Sequence, residues 1–196
     1  MRLLVLSIVG VAALGPFHRS ERSAPLCSVV GKGDGPQPGT VEFTQRLVRD
    51  AEVIVRARAL RAGEGEHTVV PEKAGWFSVR QSIEFEVLEV IKAPEGWVAP
   101  SPLYLAGKLT ELDDFNRGSV PYTFVRPAGA RGSCFATEYK RGGEFLLLLQ
   151  PAGEGWYTPY WALLSPTNEQ VRGEDDPWVV WVRSQVRATA DPSKGA

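Results

Sequence analysis

The stretch Ile83–Lys92, IEFEVLEVIK, constrains the fold more than any other part of the chain. Ile83, Phe85 and Val87 occupy alternate positions, the period of a strand with one buried face. The apolar positions then slip by one residue, to Leu88 and Val90. Such a slip turns all later side chains onto the other face unless an extra residue is bulged out, which bends the strand. Bent strands belong to small barrels, so the chain is read as mainly β.

The neighbouring segments agree with that reading. In AEVIVRARAL, Val53, Val55, Ala57 and Ala59 face one way, and Glu52, Ile54, Arg56 and Arg58 face the other. WFSVRQSIEFEVLEVIK is the second strand and PLYLAGKL the third, and VPYTFVRP is an edge piece limited by Pro121 and Pro127. GEFLLLLQ is apolar on both faces and therefore central, and WYTPYWALL follows it. The polar, Gly/Pro-rich segment over 61–77 is an exposed loop. A short helix over VEFTQRLVRD buries Phe43 and Leu47. An amphipathic C-terminal helix starts at Pro177, capped by Asp176, with Trp178, Trp181, Val182, Gln185 and Val186 in one stripe. The expected architecture is a small closed β-barrel of about five strands, with a short helix before it and a longer one after.

The N-terminus, MRLLVLSIVGVAALG, carries one arginine and then an apolar run of signal-peptide length. Residues 1–15 are read as a leader whose cleavage point falls as late as about residue 24. The protein is accordingly expected outside the cytoplasm, secreted or in a cell envelope, meeting the membrane only during export. Export gives meaning to the chain's two cysteines, Cys27 and Cys134. In an oxidising compartment an even pair suggests a disulfide, while two buried thiols acting as small hydrophobes are the rival reading. A bridge would close a loop of about a hundred residues and stabilise by at most roughly 4–5 kcal/mol.

The order of these features resembles the netrin-like modules, and among them the N-terminal domain of the tissue inhibitors of metalloproteinases. The likeness covers residues 27–165. It consists of a leading cysteine, a short helix running into RDAEVIVRARAL, then IEFEVLEVIKAPEG, then a cysteine just before GGEFLLLL. It implies an OB-type barrel and pairs Cys27 with Cys134. Residues 166–190 are left as a helical extension packed on the barrel. The family's Cys-x-Cys start is Cys27-Ser28-Val29 here, and its glycine after the later cysteine is Phe135. Zinc chelation by a free terminal cysteine is therefore not carried over.

The 196-residue chain has formal net charge −1, which supplies no basic surface for nucleic acid. Its two histidines, His18 in the leader and His67 in the long loop, assemble no zinc ligand set with cysteines that are oxidised. No metal and no cofactor are expected. Glu84 and Glu86 lie on one side of a strand, as alternating surface carboxylates do, and Asp113-Asp114 sits in a turn-like stretch.

The expected function is a non-catalytic binding module, a protein-interaction or protease-inhibitor-like domain for a protein or other extracytoplasmic ligand. The binding candidates are Cys27, Ser28, Val29, Ser133 and Phe135, the 61–77 loop, and Trp76 and Trp97 as exposed anchors. A polar cluster of Asn168, Glu169, Arg172, Asp175 and Asp176 forms either a concave site or a helix cap with a turn closed by Asn168. If catalytic, Glu169 with Asp175 or Asp176 would be the carboxylate pair of a small hydrolase. A structural role in an envelope assembly is the third reading.

Overall fold

A computed structural model describes residues 41–63, 82–116, 118, 120, 126, 138–153, 156–159 and 168–190. The protein is mainly β. Helix α1 (Val41–Asp50) is followed by β1 (Val53–Ala62), β2 (Ser82–Lys92), β3 (Leu103–Ala106), β4 (Lys108–Thr110), β5 (Glu138–Lys140), β6 (Glu144–Gly153), β7 (Trp156–Pro159) and β8 (Asn168–Val171). Helix α2 (Pro177–Ala190) comes last.

The main sheet has the antiparallel order β3-β2-β1-β6-β7. Strand β6 is central, as its unbroken apolar run requires. One edge of β6 pairs with β1; the other is shared end to end, β8 taking Glu144–Leu147 and β7 taking the residues from Leu149 on. The ends of the order, β3 and β7, have Cα atoms within 8 Å of one another. No ladder joins them among the described residues, so the expected closed barrel appears there as a strongly curled sheet.

The slip in IEFEVLEVIK is a bulge. Ala57 pairs with Val87 and Arg56 with Glu89, leaving Leu88 as the extra residue. Two further shifts leave Ile91 extra on β2 and Leu60 extra on β1. These irregularities bend the first two strands around the core.

The inner face of β1 packs as its alternation predicts. Val53, Val55, Ala57 and Ala59 join Ile83, Phe85, Leu103, Leu105, Tyr139, Phe145, Leu147 and Leu149 in one buried cluster. Phe85, Tyr139 and Phe145 meet edge to face, with centroids 5.0–6.2 Å apart. On the other face Ile54, Leu146, Leu148 and Val171 are covered by Leu47 and Val48 of α1 and Trp178, Val179 and Val182 of α2. Phe43, Trp181 and Val186 pack at the margin of that second core. Both helices therefore lie on one side of the sheet.

Three expectations are corrected. PLYLAGKL is two strands, since the chain breaks at Gly107 and Lys108–Thr110 pairs in parallel with β5. Residues 168–171, expected within a helical extension, form β8 and complete the edge of β6. Asn168 therefore lies in a strand and closes no turn.

Candidate functional site

Two polar constellations stand out, one buried beneath β8 and one open on the outer face of β1, β2 and β3.

The first contains part of the cluster expected at 168–176. Asn168 and Glu169 are fully buried, and Gln170 is nearly so. Burial follows from pairing: β8 is held between β6 and the segment around Phe115, which bridges to Gln170. The Gln170 side chain accepts from the Asp114 amide at 2.6 Å and donates to Asp113 Oδ1 at 2.8 Å. Asn168 donates to the Tyr139 hydroxyl at 3.5 Å. Glu169 Oε1 accepts from Asn116 Nδ2 at 3.3 Å, whereas Oε2 takes no hydrogen bond among the described residues.

Sequence reasoning missed the cation in this cluster. Arg126 is wholly buried, with its guanidinium carbon 5.3 Å from the Tyr139 and Phe145 ring centroids. Nη1 donates to the Glu138 carbonyl at 2.8 Å and lies 3.6 Å from Asp114 Oδ2. Burial pulls Arg126 below its ordinary pKa and pushes Tyr139 up to about 12. Burial also pushes Glu169 up to about 8; Arg126 and the Asn116 hydrogen bond oppose this, and the Asp114 and Asp176 charges reinforce it. Arg126 and Asp114 already balance each other, so a protonated Glu169 leaves the cluster neutral.

The remaining members of the expected cluster cap α2. Asp176 Oδ1 accepts from the Trp178 amide and Oδ2 from the Arg172 amide, both at 3.0 Å. Arg172 Nη1 is 3.9 Å from Asp176, and its guanidinium lies 4.3 Å from the Phe115 ring centroid. Asp175 is exposed. Asp176 is committed to backbone amides and Glu169 is sealed from solvent, so these carboxylates do not converge on an open cleft as a hydrolase pair would.

The second constellation is a groove of about 700 Å³ lined by four consecutive residues of β2, Glu84–Val87, and by Leu60, Arg61, Ala99–Pro102 and Tyr104. The bulge in β1 creates one wall, because the extra residue Leu60 projects with 40% of its surface exposed. Glu84 lies at the base, only 6% exposed. Its Oε2 accepts from Arg61 Nε at 2.7 Å, and the Tyr104 hydroxyl is 3.4 Å from Oε1. Glu86 is half exposed and meets Arg58 at 3.2 Å. Glu84 is thus no ordinary surface carboxylate, as the alternation alone suggested. Arg61 and Tyr104 on its two neighbouring strands cover it.

Farther along the same outer face, Arg56 bridges Glu144 at 2.6 Å and Glu89 at 3.3 Å. Arg183 of α2 grips Glu89 with two bonds of 2.7 Å. The Arg183 hydrogen bonds hold the Glu89 carboxyl below its ordinary range, with Arg56 assisting against burial. This lattice fastens the helix to the sheet.

Of the binding candidates, Trp97 is half-buried and packs against the inner core, so it is not an exposed anchor. The loop after β2 turns back, with the Trp97 amide donating to Pro94 at 3.1 Å, and carries the ring inward. Cys27, Ser28, Val29, Trp76, Ser133, Cys134 and Phe135 lie outside the described residues; of the segment expected as a 61–77 loop, Arg61 and Ala62 instead complete β1 by pairing with Glu84 and Ile83, and residues 64–77 lie outside the described residues. Among the described residues, no group of His, Cys, Asp and Glu is placed to hold a metal ion, and no helix is long and apolar enough to cross a membrane. No protein-family model matches the chain, and no curated protein matches it.

Proposed function

We propose that the chain is an exported, non-catalytic binding module built on a netrin-like, OB-type barrel, with Cys27 bonded to Cys134. The fold part of this reading is supported by the order β3-β2-β1-β6-β7 with its two ends adjacent. Both β3 and β7 run parallel to β1, because each is separated from it by one antiparallel neighbour. Closing the curled sheet through these strands would make a five-stranded barrel. The function part is carried by the open groove over β2, whose size suits a peptide or small ligand and whose walls mix apolar and charged groups. Arg61, near the end of β1, lines it beside the bulged Leu60.

A photo-cross-linking residue in place of Leu60, activated in the exported fraction of the producing cells, tests the assignment. The expected result is a discrete adduct with another protein at position 60. The same residue in place of Val98 or Leu112, both exposed but outside the groove lining, should give none. Equal adducts at all three positions, or none at 60, would refute the groove as the binding face.

A further inference from the structure

The polar cluster beneath β8 has a cover. Residues Asp113–Asn116 run over the strand, with Asp113 exposed, Phe115 and Asn116 half-buried, and all of β8 buried beneath. Phe115 bridges to Gln170, and the Asp114 amide donates to the Gln170 side chain, which returns a bond to Asp113. Asn116 donates to Glu169 Oε1, and the Arg172 guanidinium lies over the Phe115 ring. A partly exposed segment tied through side chains to a four-residue strand belongs to the part of a fold that opens locally before the whole unfolds.

Glu169 is the group that such an opening exposes. It is fully buried, and its Oε2 takes no hydrogen bond among the described residues. A neutral carboxyl tolerates this at modest cost; a carboxylate with one bare oxygen does not. The surrounding charges do not offset that cost. Arg126 attracts a carboxylate but already faces Asp114 at 3.6 Å. Asp114 in the cover and Asp176 at the cap of α2 repel a further negative charge, and β6 sets Leu146 opposite. Tyr139 of β5 meets Asn168, while Arg172 turns to Phe115 and Asp176. Lifting Asp113–Asn116 breaks the Asn116 contact and brings water to the carboxyl.

We propose that Asp113–Asn116 is a strap latched by the Glu169 proton: it closes on β8 while the carboxyl is protonated and lifts as that proton passes to solvent. The strap also supplies Asp113 and Phe115 to the lining of a cleft of about 370 Å³, whose opposite side is the turn over residues 140–144. Lifting therefore dismantles one wall of that cleft. Closure raises the Glu169 carboxyl from 4.5 to about 8. The strap is accordingly held most firmly below pH 4.5, and its hold weakens as pH rises to about 8.

Amide hydrogen exchange of the full-length protein is followed by NMR from pH 5 to pH 8. Each rate is divided by that of an unstructured peptide at the same pH, which gives an opening constant. The Asp114 amide reports the strap, and the amides of the β1–β6 ladder report global unfolding. The Asp114 constant should exceed those of the ladder at every pH. It should rise about tenfold per pH unit in the wild-type protein and stay level in Glu169→Gln. Equal constants at Asp114 and in the ladder would overturn the strap, whatever Glu169 does to overall stability. A level wild-type profile, or a slope that persists in Glu169→Gln, would overturn the latch. The wild-type slope and its excess over the ladder decide the matter even where the variant does not fold.

Discussion

The buried acid beneath β8 leads to a sharp prediction about pH. Glu169 is fully enclosed, has one oxygen without a hydrogen bond among the described residues, and sits beside an Arg126–Asp114 pair that is already neutral. Its carboxyl is pushed from 4.5 to about 8 in the folded protein, chiefly by burial. The folded state therefore holds a proton that the unfolded chain has released. Below about pH 4.5 both states are protonated and the group leaves stability at its full value. Between that pH and about 8, stability falls by about 1.4 kcal/mol per pH unit, and above about 8 it levels off. The accumulated loss is several kcal/mol, a large part of the roughly 5–15 kcal/mol that holds a domain of this kind together.

Glu169→Gln keeps the shape and the acceptor for Asn116 but has no proton to lose. Urea unfolding followed by tryptophan fluorescence, at intervals from pH 5 to pH 9, gives both stability curves. Every other titrating group is common to the two proteins and cancels in their difference. That difference should grow steadily in favour of the variant as pH rises toward 8 and then remain constant. Parallel curves, or a variant that loses stability equally fast, would show that Glu169 is ionised in the folded protein and that the account of the cluster is wrong.

Other consequences follow from the same contacts. Asp176→Ala removes the cap from α2 and should cost about 1 kcal/mol, with faster hydrogen exchange at the Arg172 and Trp178 amides. On the acid side, Glu89 has its pKa lowered by Arg183, so it stabilises the fold above its unfolded pKa and that contribution is lost as pH falls through its folded value. Glu89→Gln should flatten the acid limb of the stability curve and raise exchange in α2 more than in β6. Leu147→Ala empties a fully buried position in the inner core and should lower unfolding stability by about 2–5 kcal/mol in the same urea assay.

Much of the fold was legible because it depends on local periodicity. The β1 alternation, the Leu88 bulge, the limits of α1 and the Asp176-Pro177 start of α2 all declare themselves within a few residues. What the chain order concealed was lateral placement. Nothing local in NEQV, a fully polar triplet before a valine, announces a buried strand; its burial comes from Phe145 and Leu146 on one side and the Phe115 segment on the other. Arg126 was hidden for a similar reason, since a lone arginine between Val125 and Pro127 reads as surface. Only the folded chain brings the faces of Tyr139 and Phe145 to it. The groove gave little signal: Arg61 was expected in the exposed 61–77 loop, whereas β1 runs on through Ala62 and sets it opposite Glu84. The bulge that sets them opposite each other and ejects Leu60 depends on a register that neither strand states alone. Trp97 misled because a tryptophan in a Gly/Pro-rich turn suggests exposure, whereas the turn folds the ring back onto the core.

The link between the front of the polypeptide and its middle tests the proposed module most directly. The protein, recovered from the producing cells without reductant, is alkylated under denaturing conditions, digested, and mapped by mass spectrometry. The account predicts one disulfide-linked peptide pair joining Cys27 to Cys134, which separates only on reduction. Alkyl groups on both cysteines in the unreduced sample would contradict the netrin-like assignment.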